Sequence, residues 1–179
     1  MRIPIAAPTV SDAAQAAVRG VLASGMLADG EVVRAFESAF ASYVGVDHAV
    51  ATSSGTTALQ VMFEAAGIGA GDAVITTPFS FISSANAVVH AGAEPVFADI
   101  DPQMFTLDPA AVQAVLDARD DIAAILPVHL YGLPAPMTEL RAVAAAADVL
   151  LFEDAAQAHG ATLDGAMVGS LGADRKSVV

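Results

Sequence analysis

Val149-Leu150-Leu151-Phe152-Glu153-Asp154-Ala155-Ala156-Gln157-Ala158-His159-Gly160 begins as an apolar run and breaks into two adjacent carboxylates. A short run of large apolar residues reads as a strand buried on both faces, as in a parallel sheet. Charge then arrives at the carboxyl end of that strand, where open α/β sheets bind ligands. A carboxylate there is costly unless a cation or a hydrogen-bond donor meets it. Two readings of Asp154 stand open from this stretch alone. It caps a helix, with Gln157 completing a capping box, or it holds a cationic ring nitrogen in a charge-assisted contact that Gln157 also reaches.

The same rhythm extends outward in both directions. Short apolar runs at His48–Thr52, Ala73–Thr76, Pro95–Ala98, Ala123–Val128 and Val149–Glu153 predict strands. Between them, Thr56–Ala66, Ile82–Ala91, Pro109–Ala118 and Met137–Ala146 predict helices. Strands alternating with helices imply an α/β fold: a three-layer α/β/α arrangement around a mostly parallel sheet. Before this region, Ser11-Asp12 opens a helical pattern that stops at Ser24-Gly25, Asp29-Gly30 signals a turn, and a second helix runs to Gly45 with Val32, Val33, Phe36, Phe40 and Tyr43 as its stripe. We divide the chain into a helical segment at 1–45, an alternating α/β region at 46–172 and a tail at 173–179. Gly165–Gly172 reads as a tight hairpin.

Composition narrows the function. The chain has 179 residues, 55% of them hydrophobic, so a real core is available. Twenty acidic residues against seven basic ones leave a net charge of −13, which argues against a nucleic-acid partner held through its phosphates. Cysteine is absent, which removes disulfides and thiolate metal sites. His129 and His159 lack partners at metal-ligand spacing, so no metal is assigned, and a structural role is the first expectation for His129. No apolar run reaches membrane-spanning length, and no secretory pattern opens the chain, so a cytoplasmic location is expected.

Two further strand ends carry chemistry. In Thr52-Ser53-Ser54-Gly55-Thr56-Thr57 a strand turns through small residues into a helix. Free amides and hydroxyls at such a start bind anions such as phosphate, or the Ser and Thr side chains serve only as caps. The Gly-Lys-Thr ending of a P-loop and the Gly-x-Gly-x-x-Gly fingerprint are both absent. In Thr76-Thr77-Pro78-Phe79-Ser80-Phe81-Ile82-Ser83-Ser84 the turn holds two aromatics, which pack in the core or stack on a planar ligand. Taken together, the three strand ends offer a phosphate cradle, an aromatic platform and a carboxylate for a protonated pyridine. Those are the attachment points of pyridoxal 5′-phosphate.

On these residues the chain resembles the DegT/DnrJ/EryC1/StrS family, the sugar aminotransferases of fold type I. The likeness runs from about Ile3 to Gly172, through Ser24–Gly30, Ser53–Leu59, Gly67–Asp72, Thr76–Phe81, Pro95–Asp101, Pro127-Val128-His129-Leu130-Tyr131-Gly132 and Glu153–Gly160. The resemblance implies that Gly55 and Thr56 bind the cofactor phosphate and that Phe81 stacks on the ring. It implies that Asp154 pairs with the pyridine nitrogen and that Gln157 contacts the phenolic oxygen. The implied reaction is amino transfer, typically from glutamate, to a keto group of a nucleotide-linked sugar, in a homodimer whose active sites use both subunits. Some members are instead deoxysugar dehydratases with His in place of the Schiff-base lysine; a non-catalytic phosphate-binding remnant is a third reading.

The family pattern continues beyond Gly172 to that lysine, and Lys176 does not sit in the motif. No catalytic residue is therefore assigned. The tail Asp174–Val179 matches what a sequencing adapter encodes, so an incomplete open reading frame lacking the small C-terminal domain is expected. The family's sheet order, third-second-fourth-fifth-sixth-seventh-first, would then leave the first strand, His48–Thr52, unpaired or beside the fifth. An unpaired edge invites aggregation. The chain alone is expected to be inactive, poorly soluble or molten, and without cofactor absorbance.

Overall fold

The computed structural model describes residues 7–172; Ile3 and the tail residues, Lys176 included, lie outside the described residues. Helix α1 is Asp12–Ser24, and the Ser11 hydroxyl accepts from the Ala14 amide at 3.2 Å, satisfying one free donor of its first turn. Helix α2 is Glu31–Val44 and closes at Gly45, whose φ of +85° suits a residue without Cβ. α1 buries none of its residues, and α2 buries only Ala41 and Val44.

The remaining elements alternate as expected. They are α3 (Gly55–Ala65), β1 (Ala73–Thr76), α4 (Ser83–His90), β2 (Glu94–Phe97), α5 (Pro109–Leu116), β3 (Ile122–Ile125), α6 (Met137–Ala147) and β4 (Leu150–Leu151). All three strand pairings are parallel, in the order β2-β1-β3-β4. Counted from the expected strand at His48–Thr52, this is third-second-fourth-fifth, as the resemblance implies. Pro95 lies in β2 at the sheet edge, where a missing N–H costs no ladder bond.

Each face of the sheet builds its own core, which makes the three layers. Leu59 and Phe63 of α3 and Ala87 and Val88 of α4 pack with Val74, Ala124, Leu126 and Phe152. On the other face, Val112 of α5 and Met137, Leu140 and Ala144 of α6 pack with Ala73, Ile75, Ile125 and Leu151. Ile122 joins this second core although it is three residues from Ile125. The β1–β3 register shifts between Ala73 and Val74, so Ala123 is an extra residue that returns Ile122 to the Ile125 side. The Phe63 and Phe152 rings meet edge to face at 5.5 Å, pinning α3 to the strand that delivers Glu153.

Three expectations are corrected. His48–Thr52 forms no strand. A strand exists by ladder pairing, no strand lies beside this segment among the described residues, and the Ala51 amide goes instead to the Glu37 carboxylate at 2.8 Å. No helix follows Asp154; the chain turns through Ala155–Gly160, so neither a helix cap nor a capping box forms there. The hairpin is centred earlier than expected, with β5 (Thr162–Leu163) pairing with β6 (Ala166–Met167) across Asp164-Gly165. No helix among the described residues is long and apolar enough to cross a membrane.

Candidate functional site

Parallel strands end at the same edge of a sheet, and here that edge gathers the segments singled out from the sequence. The β3–β4 ladder is extended by a bridge between Val128 and Asp154, with the Asp154 amide donating to the Pro127 carbonyl at 3.0 Å. The Asp154 backbone is thus held by sheet pairing. A cavity of about 300 Å³ opens beside it, and Gly55, Thr56, Phe81, Asp154 and Gln157 all line it.

α3 points its N-terminus into this cavity. The Ser54 hydroxyl caps the helix by accepting from the Thr57 amide at 3.2 Å, and the Ser54 carbonyl accepts from the Ala58 amide. Capping is therefore real but incomplete: the Gly55 and Thr56 amides have no acceptor among the described residues. Two free donors at the positive end of a helix form an anion site. The Thr56 hydroxyl donates to Ser83 Oγ at 2.9 Å, joining α3 to the first turn of α4.

Phe81 precedes α4 and is 67% exposed, so it is not a core residue. Phe79 lies against Phe105, with ring centroids 6.2 Å apart. Gln157 accepts from the Tyr131 amide at 3.2 Å through Oε1, which ties the turn after Asp154 to the loop after β3. His159 packs edge-on against Phe40 of α2, 6.2 Å between centroids. A larger hollow of about 550 Å³ lies between α2, α3 and residues 46–52, lined mostly by apolar side chains such as Phe36, Phe40, Val50 and Val61. Its one lining carboxylate, Glu37, is engaged by the Ala51 amide; His48 and His159 also line it, and Ser54 and Gly55 line both cavities.

The model of the DegT/DnrJ/EryC1/StrS aminotransferase family matches residues 8–177. The chain belongs to this family. The match passes Gly172, where the motif-by-motif resemblance ends, and runs to residue 177. The chain is 48% identical over 143 residues to the GDP-perosamine synthase of Caulobacter vibrioides, covering 80% of this chain and 38% of that protein. Its fold superposes on the crystal structure of an aminotransferase from Psychrobacter cryohalolentis with a TM-score of 0.88 and 41% identity, over 92% of this chain and 42% of that one. It is also similar to NtdA from Bacillus subtilis, solved with bound cofactor PMP, with a TM-score of 0.79 and 34% identity over 83% of this chain and 34% of that one. The chain thus spans about two fifths or less of the length of these DegT/DnrJ/EryC1/StrS relatives.

Beneath the site of this family member lies a polar cluster that sequence reasoning missed. Glu153 and His129 are fully buried. The Ala135 amide donates to His129 Nδ1 at 2.9 Å, so Nε2 is the protonated nitrogen and faces Glu153 Oε2 at 3.0 Å. The same carboxylate accepts from the amides of Gly169 at 2.8 Å, Leu171 at 2.6 Å and Gly172 at 2.6 Å. Arg141 donates to the Leu171 carbonyl. His129 is accordingly structural, and Glu153 ties residues 169–172 to the strand end that presents Asp154. The adjacent pair Glu153-Asp154 was the available signal: on consecutive extended residues, side chains point to opposite sides.

Proposed function

We propose that this chain supplies the cofactor-binding part of a pyridoxal-phosphate-dependent aminotransferase acting on nucleotide-linked sugars. The observation that carries the reading is the convergence of five residues from three chain segments on one cavity. Gly55 and Thr56 offer amides unpaired among the described residues, Phe81 an exposed aromatic face, Asp154 a carboxylate and Gln157 an amide. This donor set fits a ligand with a phosphate at one end, a planar ring in the middle and a basic ring nitrogen at the other.

When bound, pyridoxal phosphate draws electrons from a substrate amine carbon into its ring. The chain's own residues bind and orient. The α3 N-terminus neutralises the phosphate, Phe81 covers one ring face, and Asp154 holds the proton on the ring nitrogen. Gln157, fixed by the Tyr131 amide, takes the phenolic oxygen. The sugar-nucleotide substrate class is supported by the family and by the similarity to GDP-perosamine synthase. Glutamate as donor and a homodimer follow from the resemblance. Lys176 does not sit in the family's lysine motif. We therefore infer noncovalent cofactor binding without turnover, in place of the molten, cofactor-free chain expected from the sequence, because the five residues are held on packed elements and the turns beside them.

Titration with pyridoxamine 5′-phosphate, followed by phosphorus NMR and equilibrium dialysis, tests the reading without a covalent bond. Saturable binding that Asp154→Asn weakens roughly ten- to a hundredfold is expected, the value of a lost charge-assisted contact. Binding that ignores both Asp154→Asn and Phe81→Ala would place the ligand elsewhere.

A further inference from the structure

The carboxylate that faces the cavity is itself held from behind. Ser84, in the first turn of α4, is 1% exposed, and its hydroxyl donates to Asp154 Oδ2 at 2.8 Å. Ser84 Oγ also lies 2.9 Å from Ser80 Oγ. A hydroxyl has one proton. An ionised carboxylate only accepts, so the Ser84 proton goes to Asp154 and Ser80 must donate to Ser84. The direction of the chain Ser80→Ser84→Asp154 is thereby set. Oδ2 is committed to it, whereas Oδ1 receives only a 3.3 Å contact from the Ala156 amide.

We propose that Ser84 is a positioning residue, clamping Oδ2 of Asp154 so that Oδ1 is the oxygen presented to a cationic ring nitrogen. The proposal rests on the cofactor reading above. It also gives the first turn of α4 a joint role, because Ser83 accepts from Thr56 while Ser84 donates to Asp154. Consecutive serines on one helix thus link the anion end of the cavity to its carboxylate end. Their separation is carried by the α4 backbone, which packs against the sheet through the buried Ala87 and Val88. A site held by packed elements keeps its geometry better than one held by loops.

The test is a double-mutant cycle on pyridoxamine 5′-phosphate affinity, with the ring nitrogen labelled with nitrogen-15. Ser84→Ala is expected to weaken binding about tenfold, and Ser80→Ala, which leaves the Ser84–Asp154 bond in place, about threefold or less. In the Asp154→Asn background, Ser84→Ala should cost nothing further, whereas it should multiply with Phe81→Ala. The pH at which the bound ring nitrogen loses its proton should fall in Ser84→Ala and in Asp154→Asn, and stay put in Phe81→Ala. A purely structural serine would lower affinity without moving that pH. If Asp154→Asn weakens binding but Ser84→Ala is silent, or multiplies with Asp154→Asn, the positioning role is overturned and the cofactor reading survives. If Asp154→Asn is itself silent, the cofactor reading falls, and the proposal with it.

Discussion

His129 Nε2 lies 3.0 Å from Glu153 Oε2, and both side chains are fully shielded from solvent. With the Gly169, Leu171 and Gly172 amides on the same carboxylate, Glu153 accepts from at least four donors. Such a cluster is stable only while complete, because each orphaned donor keeps its full desolvation cost.

Glu153→Ala is therefore expected to cost about 3–5 kcal/mol. In a domain of this size that lowers the melting temperature by roughly 10 °C. Glu153→Gln should be nearly as damaging. In one orientation its NH₂ meets the Gly169 amide and His129 Nε2; flipped, it meets the Leu171 and Gly172 amides. Calorimetry decides, and a glutamine variant that melts like the parent would show that the cluster is not cooperative.

Gly55 separates folding from binding. A Cβ built on it meets no atom within 4 Å, and its φ is not in the left-handed region. Gly55→Ala should then raise the melting temperature by roughly 1–4 °C through loss of unfolded-state freedom. Weaker binding of pyridoxamine phosphate alongside that rise would assign the glycine to the ligand. A melting temperature that drops would refute the open-space reading.

Phe81 makes the complementary case. Being largely exposed, it should tolerate Ala with less than about 0.5 kcal/mol of stability lost, while the ligand's dissociation constant rises roughly three- to tenfold, the value of one ring stack. Loss of stability without loss of affinity would return Phe81 to a packing role.

Arg119 predicts a pH dependence. It forks onto Glu94 at 2.9 and 3.0 Å and onto Asp121 at 2.6 and 2.8 Å, joining the starts of β2 and β3. Hydrogen bonds from Arg119 hold both carboxyls below their usual range. Depressed carboxylates contribute stability above their unfolded pKa, about 4, and lose it as pH falls through the folded value. Arg119→Ala should therefore melt slightly below the parent at pH 7, a small effect because the groups are exposed. The two curves should converge as pH falls through those depressed values. A gap that persists in acid would indicate lost packing of the arginine stem.

The face of α2 and α3 is the last case. Phe36, Val50 and Val61 are 57%, 78% and 47% exposed around the larger hollow. Contiguous apolar surface of this kind drives association. The 179-residue chain is expected to sediment well above its 18.0 kDa mass, and Phe36→Ser with Val61→Ser should reduce that association. A monodisperse monomer of the parent chain would contradict it.

Much of this protein was set by local chemistry that the sequence displays. Helix and strand periods, glycine stops and the serine at residue 11 determined the elements from α1 to β4, because each depends on side chains within a few residues. The turn segments around Gly55, Phe81 and Asp154 were legible for the same reason. What lay beyond local reading were contacts between distant residues. Ser84 meets Asp154 seventy positions along the chain, and Glu153 gathers amides sixteen to nineteen residues away. His48–Thr52 has a strand's composition yet forms none, since a strand requires a neighbour to pair with and composition cannot supply one. Which carboxylate of Glu153-Asp154 turns inward and which faces the cavity was likewise decided by the tertiary structure, through the donors each one found.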